Sequence, residues 1–145
     1  MTGFKFDHEK EGLNKTLKEY EVVALRYVWS IGEEGVGSGK TWTTTNEGPE
    51  HGKTVSRVSV IFFLNRMVDQ GVLSYRTATG KGGHHRVYYP VMDERAYKKN
   101  ILKTIVESLM RDFPDETREA LGELQLQTTR TLADPGSLSF RRIEK

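Results

Sequence analysis

Basic side chains are concentrated between Lys53 and Met92 of this 145-residue chain, although the whole sequence has a formal net charge of only +2. The stretch holds six cations against the single acid Asp69, which gives it a local charge of +5. The cations are Lys53, Arg57, Arg66, Arg76, Lys81 and Arg86. Positive charge clustered in one part of a chain is typical of contact with the phosphates of a nucleic acid. The charge distribution therefore predicts a polyanionic partner.

Two groups of polar residues in this stretch are the candidate contacts with double-stranded DNA. The first group lies on a predicted helix over residues 55–70, where it would reach base edges and phosphates in a major groove. It consists of Ser56, Arg57, Ser59 and Arg66. The second group lies in or beside a glycine-rich wing over residues 77–86, where glycines let the chain approach a phosphate backbone closely. It consists of Lys81, His84, His85 and Arg86.

Each of these residues also has an ordinary structural role to weigh against DNA contact. The serines would simply cap a helix, and Arg57 would pair with an acid such as Asp69 or Glu50. The glycine-rich wing would be a solvent-exposed hairpin turn. That alternative explains the glycines, but it gives no reason for a basic loop beside a basic helix, and we favour DNA contact.

The segment over residues 35–41, GVGSGKT, resembles a phosphate-binding P-loop but fails its spacing. The motif needs a glycine, four residues and then Gly-Lys-Thr, which places its first glycine at Glu34. A P-loop also follows a buried strand, whereas an amphipathic helix is predicted here. No nucleophile has a predictable base and orienting acid beside it. We therefore predict that the protein is not an enzyme.

His84 and His85 are the residues to test first as metal ligands. Adjacent residues on an extended backbone point to opposite faces, so the pair is poorly placed to chelate one ion. The chain has no cysteine that would supply a thiolate ligand. We predict neither a metal site nor a cofactor.

A helix and a hairpin must position the candidate DNA contacts. Residues 55–70 start after small hydroxyl residues and stop at Gly71, as a helix does. Residues 72–77 and 86–90 alternate enough to form strands, and the sequence TGKGGHH between them predicts a loop longer than a two-residue turn. A helix that leads into a two-stranded hairpin with a cationic tip is the core of a winged helix-turn-helix.

The apolar pattern of residues 55–70 leaves the rotation of this helix open between two settings. One setting exposes Phe62 and turns inward Val60, Leu64, Met67 and Val68. The other exposes Phe63 and turns inward Val58, Ile61, Leu64 and Val68. Ser59 and Arg66 face outward in both, and the exposed phenylalanine would be free to touch thymine methyl groups.

The chain before this helix is predicted to contain an arm, a helix, a loop and a weak helix. Residues 1–12 are polar and form a loosely held, flexible arm. Apolar residues recur at helical spacing from Leu13 to Trp29. Four glycines between Ser30 and Gly39 favour a loop. A threonine-rich helix then runs from Ser38 or Lys40 to about Gly48, although β-branched residues make it intrinsically poor.

The chain after the hairpin is predicted to form dimerisation helices. Asp93 caps a helix whose apolar stripe includes Tyr97, Ile101, Leu102, Ile105, Leu109 and Phe113. Pro114 interrupts this stripe, and a second helix runs to about Gln127. A winged-helix unit is complete near Pro90, so the stripe needs another surface, and a second copy of the chain is the simplest one. The alternative is that the helix folds back on its own domain.

These elements predict an α+β, mainly helical chain with a winged-helix DNA-binding domain over residues 13–92 and a helical dimerisation region and tail over residues 93–145. The 36% hydrophobic content fits a soluble protein. No apolar run approaches the ~20 residues of a membrane span, and the first residues lack the pattern of a signal peptide. We expect a cytoplasmic protein.

The run VSRVSVIFFLNRMVDQGVLSY, followed by TGKGGHHRVYYP, resembles the winged-helix regulators of the penicillinase-repressor family. The earlier run EYEVVALRYVWS is similar to the opening helix of that family. The resemblance covers about residues 13–113 and implies a homodimeric repressor that binds a dyad-symmetric operator through a recognition helix at 55–70 and a wing at 77–86. The glycine-rich loop and the GPEHG turn are longer than expected for the family. The cysteine metal motif of copper-responsive relatives is absent.

A second function of a different class also fits these elements. A winged helix can serve as a protein–protein interaction module, whose helix and wing contact another protein without binding DNA. The operator, the effector and the regulated genes are not specified by the sequence.

Overall fold

The computed structural model describes residues 3–47, 54–80 and 82–133. It confirms a mainly helical α+β fold with a small antiparallel sheet. The chain divides into two compact units, an N-terminal unit of Met1–Lys98 and a C-terminal unit of Lys99–Lys145. The division therefore falls within a helix, a few residues after the expected boundary at residue 92.

The first helix is shorter than the apolar pattern from Leu13 predicts. A 3-10 turn occupies Gly12–Lys15, and helix α1 begins only at Glu19 and ends at Ile31. The chain breaks between them because Thr16 leaves helical geometry, and because the Lys18 N–H donates to the Glu21 carboxylate at 2.9 Å as a cap. Both pieces still contribute to the core, and Leu13, Leu17, Leu25 and Val28 are buried.

The segment expected to be a loop over residues 30–39 contains regular structure. After α1 the chain makes a 3-10 turn, Gly32–Glu34, and then strand β1, Val36–Gly37. Gly35 lies between them with φ +81°, and a Cβ there would lie 2.6 Å from Val87 Cγ1. A two-residue strand shows no alternation, so periodicity does not reveal it.

The threonine-rich helix is confirmed as α2, Ser38–Glu47. Two of its threonines donate to carbonyls one turn earlier in the chain: Thr41 to the Gly37 carbonyl at 2.9 Å, and Thr43 to the Gly39 carbonyl at 3.0 Å. Thr41 and Thr45 are fully buried. Packing therefore holds a helix that propensity alone disfavours.

Helix α3, Arg57–Asp69, matches the predicted recognition helix within two residues at its start. Ser56 is its N-cap, and its hydroxyl accepts from the Ser59 N–H at 3.1 Å. Gly71 has φ +81°, the left-handed conformation that ends helices without strain in glycine. The rotation is close to the first of the two settings, because Phe62 is 67% exposed while the buried residues are Val60, Phe63, Leu64 and Met67.

The wing consists of strands β2, Leu73–Gly80, and β3, Gly83–Pro90. They pair from Leu73 opposite Pro90 to Gly80 opposite Gly83. Only residues 81 and 82 connect them, so the expectation of a longer loop is wrong: the ladder continues through both histidines. β3 is the middle strand, with β1 on its other side. Lys81 lies outside the described residues.

The described part of the N-terminal arm is hydrogen-bonded to the N-terminal unit. The Asp7 N–H donates to the Lys15 carbonyl at 2.8 Å, and the Gln70 side chain donates to the Gly3 carbonyl at 3.0 Å. These bonds tie the arm both to the first 3-10 turn and to the end of α3. Hydrogen bonds at Gly3 and Asp7 thus connect the described part of the arm to the N-terminal unit.

Two long helices follow the wing. Helix α4, Glu94–Asp112, starts where predicted, with the Asp93 carboxylate accepting from the Ala96 N–H at 2.9 Å. Helix α5 begins at Pro114 and continues to Ala133, past the predicted end near Gln127. Pro at the first position of a helix loses no hydrogen bond, so Pro114 both ends one helix and starts the next. Residues 134–145 of the tail lie outside the described residues.

The structure corrects the placement of one residue of the predicted dimerisation stripe. Tyr97 is 1% exposed in the N-terminal unit, where its ring lies 5.8 Å from that of Trp29 and its hydroxyl is 2.9 Å from the Thr16 hydroxyl. Burial raises the pKa of this phenol. Tyr97 is therefore part of the core of its own chain and is not available to a second copy.

Candidate nucleic-acid interface

The start of α3 brings together three of the predicted contact residues. Ser56 caps the helix, and its hydroxyl also donates to the Ser59 hydroxyl at 3.0 Å. Arg57 is exposed at the first position of the helix, with its guanidinium 3.5 Å from the Ser38 hydroxyl at the start of α2. A cation thus lies where the first turns of α2 and α3 meet.

The side chain of Asn65 links α3 to the wing. Its carbonyl oxygen accepts from Arg86 Nη1 at 2.9 Å and from the Tyr88 hydroxyl at 2.6 Å. The Arg86 guanidinium also lies 3.9 Å above the ring of Tyr75 on the neighbouring strand. Burial raises the pKa of the Tyr88 phenol. The wing and the helix are therefore held at a fixed angle, with an exposed cation at their junction.

Arg76 fastens the other side of the wing. Its guanidinium donates to the carbonyls of Glu33 and Glu34 in the 3-10 turn and lies 5.7 Å from the centre of the Tyr89 ring. Arg76 belongs to the basic stretch of the sequence, but its neighbours in sequence do not predict these contacts.

The role of Asn65 is not predictable from the sequence, because a lone asparagine on a helix gives no signal of a partner on a strand 21 residues away.

Arg66 lies at the opposite end of α3 and faces α1. Its guanidinium donates to the Glu21 carboxylate at 2.6 Å and lies 5.4 Å from the centre of the Phe63 ring. Glu21 is only 2% exposed, and its other oxygen accepts the capping bond from Lys18. Arg66 is therefore engaged inside the N-terminal unit, although 44% of its side chain remains exposed.

His84 and His85 are both exposed on β3, the strand that carries Arg86. The His84 ring nitrogen Nδ1 lies 3.2 Å from the Thr79 hydroxyl across the hairpin. Across the ranges that the structure describes, no group of three His, Cys, Asp or Glu residues is placed to hold a metal ion. The strand therefore presents two imidazole side chains to solvent beside the wing tip.

The geometry thus consists of a short helix α2, a capped helix α3 and a braced wing, with the order and spacing of a winged helix-turn-helix. The family model described as penicillinase repressor matches residues 18–132. The chain belongs to the penicillinase repressor family. No curated protein matches the sequence.

Membership of the penicillinase repressor family points to a DNA-binding transcription repressor, and the family is one of regulators, not of enzymes. The match begins at the residue that caps α1 and ends in α5, so it includes both units. Among the described helices, none combines the length and apolar character that a membrane crossing requires.

Proposed function

We propose that the protein is a homodimeric repressor that binds double-stranded DNA sequence-specifically. Helix α3 enters the major groove, and the wing, residues 77–86, lies on the phosphate backbone or in the adjacent minor groove. The observation that carries the proposal is the bracing of the wing by Asn65, Arg86 and Tyr88. Two DNA-contacting elements held at a fixed angle need little ordering when they bind, and less binding energy is lost to entropy.

The proposed contacts are shared between the two elements. Ser56, Arg57 and Ser59 contact the DNA from the start of α3, and Arg86, His84 and His85 contact it from the wing. Lys81, outside the described residues, is proposed as a phosphate contact from the sequence alone. Arg66 is proposed to reach the DNA only with the part of its guanidinium that Glu21 does not hold.

The proposed dimer uses the apolar surface of the C-terminal unit. Among the described residues of this unit, six large apolar side chains are between 41% and 65% exposed: Leu102, Leu109, Phe113, Leu121, Leu124 and Leu126. Leu102 and Leu109 lie on one face of α4, Ile105, which is half-buried, continues that face, and Phe113 directly follows the end of the helix. Ile101 is buried at 8% exposure and borders the stripe. Exposed apolar surface on this scale is typical of a protein–protein contact, and a two-fold dimer matches a two-fold operator.

The salt dependence of DNA binding tests the wing contact. Replacing Arg86 with alanine should weaken binding to every duplex and reduce the slope of log affinity against log salt concentration by about 1, because one phosphate contact and its released counterion are lost. The measurement is fluorescence anisotropy on a labelled duplex over a series of salt concentrations.

Asn65→Ala is the matched control, because it removes the brace and keeps the charge. It should lower affinity while leaving the salt slope close to that of the parent protein. If Arg86→Ala binds DNA with the affinity of the parent protein, the proposed contact between the wing and DNA is wrong. Failure of the parent protein to bind any duplex at low salt would instead favour a protein–protein interaction module.

A further inference from the structure

Two large apolar side chains on α3 are left in solvent. Val58 is 56% exposed and Phe62 is 67% exposed, whereas the adjacent Phe63 is completely buried. Val58 and Phe62 are four residues apart, so they lie one above the other on the same helix face. Both side chains therefore lie on the surface that is proposed to enter the major groove.

Cations border this apolar pair at both ends. Arg57 precedes Val58 at the start of the helix, and Asn65, three residues beyond Phe62, holds the guanidinium of Arg86. A protein surface that buries an apolar pair between two cations would need matching anions of its own. A DNA groove supplies them as phosphates on both sides of its floor, and this charge complementarity favours DNA as the occupant.

The floor of the major groove contains one apolar group that a valine or phenylalanine can recognise. This group is the 5-methyl of thymine, which cytosine, adenine and guanine lack. Residues four apart on a helix are separated by about 6 Å along the axis, from a rise of ~1.5 Å per residue. Successive base pairs are ~3.4 Å apart, so the two side chains span about two base steps.

We infer that Val58 and Phe62 read thymine methyl groups about two base steps apart in each half of the operator. This inference rests on the proposed insertion of α3 into the major groove. It assigns A·T pairs to two positions of each half-site, with the thymine methyl facing the protein. The specificity at these positions comes from apolar contact and not from a hydrogen bond.

Replacing thymine with deoxyuridine tests the inference, because it removes only the methyl group. The probe is a duplex enriched from random sequence by this protein, in which each thymine is replaced in turn. For the parent protein, replacement at one or two positions of each half-site should lower affinity about fourfold, as expected for one methyl-sized group left in water. For Phe62→Ala, the replacement at one of those positions should have no further effect.

Phe6→Ala is the matched control, because Phe6 is 49% exposed but lies in the N-terminal arm and not on α3. It should keep the full sensitivity to deoxyuridine. Salt-sensitive binding that is indifferent to every deoxyuridine would overturn the methyl contacts and leave the proposed function intact. Binding to no duplex at all would overturn both.

Discussion

Replacing Arg66 with alanine should lower the free energy of unfolding by about 2 kcal/mol, an unusually large effect for a residue with a half-exposed side chain. The substitution leaves Glu21, at 2% exposure, without its guanidinium partner. Removing one member of a buried ion pair typically costs ~3–5 kcal/mol. We expect less here because 44% of the Arg66 side chain is exposed, so water can enter and solvate the carboxylate in the variant.

Urea unfolding monitored by circular dichroism measures this loss, and Arg26→Ala is the matched control. Arg26 donates to the Glu94 carboxylate at 3.1 Å, but both side chains are partly exposed, so its removal should cost less than about 1 kcal/mol. Adding Glu21→Gln to Arg66→Ala should recover part of the stability, because the charge that needs a partner is gone. Equal losses in Arg66→Ala and Arg26→Ala would show that the Glu21 pair is not a buried one.

If the proposed DNA contact is made, Arg66 has two separable contributions. It fixes the end of α3 against α1, and the exposed part of its guanidinium is available to DNA. We expect Arg66→Ala to change sequence preference as well as stability. Comparing affinities at a temperature where the variant is fully folded separates the two contributions.

Placing aspartate at both Leu109 and Phe113 should convert the proposed dimer to a monomer and lower affinity for a two-half-site duplex by at least about 100-fold. Both side chains are exposed, Leu109 at 41% on α4 and Phe113 at 55% directly after the end of that helix. Two carboxylates in an apolar contact would lose their hydration without gaining partners. Each half-site would then be bound separately, without the high effective concentration that a linked second domain provides.

Sedimentation velocity gives the oligomeric state, and titration of the same samples gives the affinity. Lys103→Asp is the control, because Lys103 is exposed on α4 but lies off the apolar stripe. It should leave the dimer intact. If the doubly substituted protein still sediments as a dimer, the interface does not use these two side chains. If the parent protein sediments as a monomer, the proposal of a dimer is wrong.

Local pattern predicted the elements that carry the candidate interface. Residues 56–71 contain a serine cap, an apolar run and a terminal glycine, and each of these signals acts within a few residues. The hairpin strands alternate and end at Pro90. These signals are local, and they were sufficient to recognise a winged helix and the family to which the chain belongs.

The pairings between distant residues were not predictable from the same sequence. Arg66 was expected to point into solvent in both helix rotations, yet its partner Glu21 lies 45 residues earlier on another helix. The two rotations of α3 differ by little in apolar content, and tertiary packing, which includes the Tyr20 ring of α1 at 6.4 Å, decides that Phe63 is buried. Strand β1 has two residues and no period, so its pairing with β3 is a tertiary event.

Selection of binding sites from a pool of random double-stranded DNA tests whether the protein is a homodimeric, sequence-specific repressor. We expect enrichment of one sequence with two-fold symmetry, because two copies of α3 related by the dimer axis would read two identical half-sites. The protein should release this sequence only at a higher salt concentration than it releases unselected DNA, since specific contacts add to those with phosphates. A pool that shows no enrichment, or that yields a single asymmetric site, would contradict a homodimeric, sequence-specific repressor.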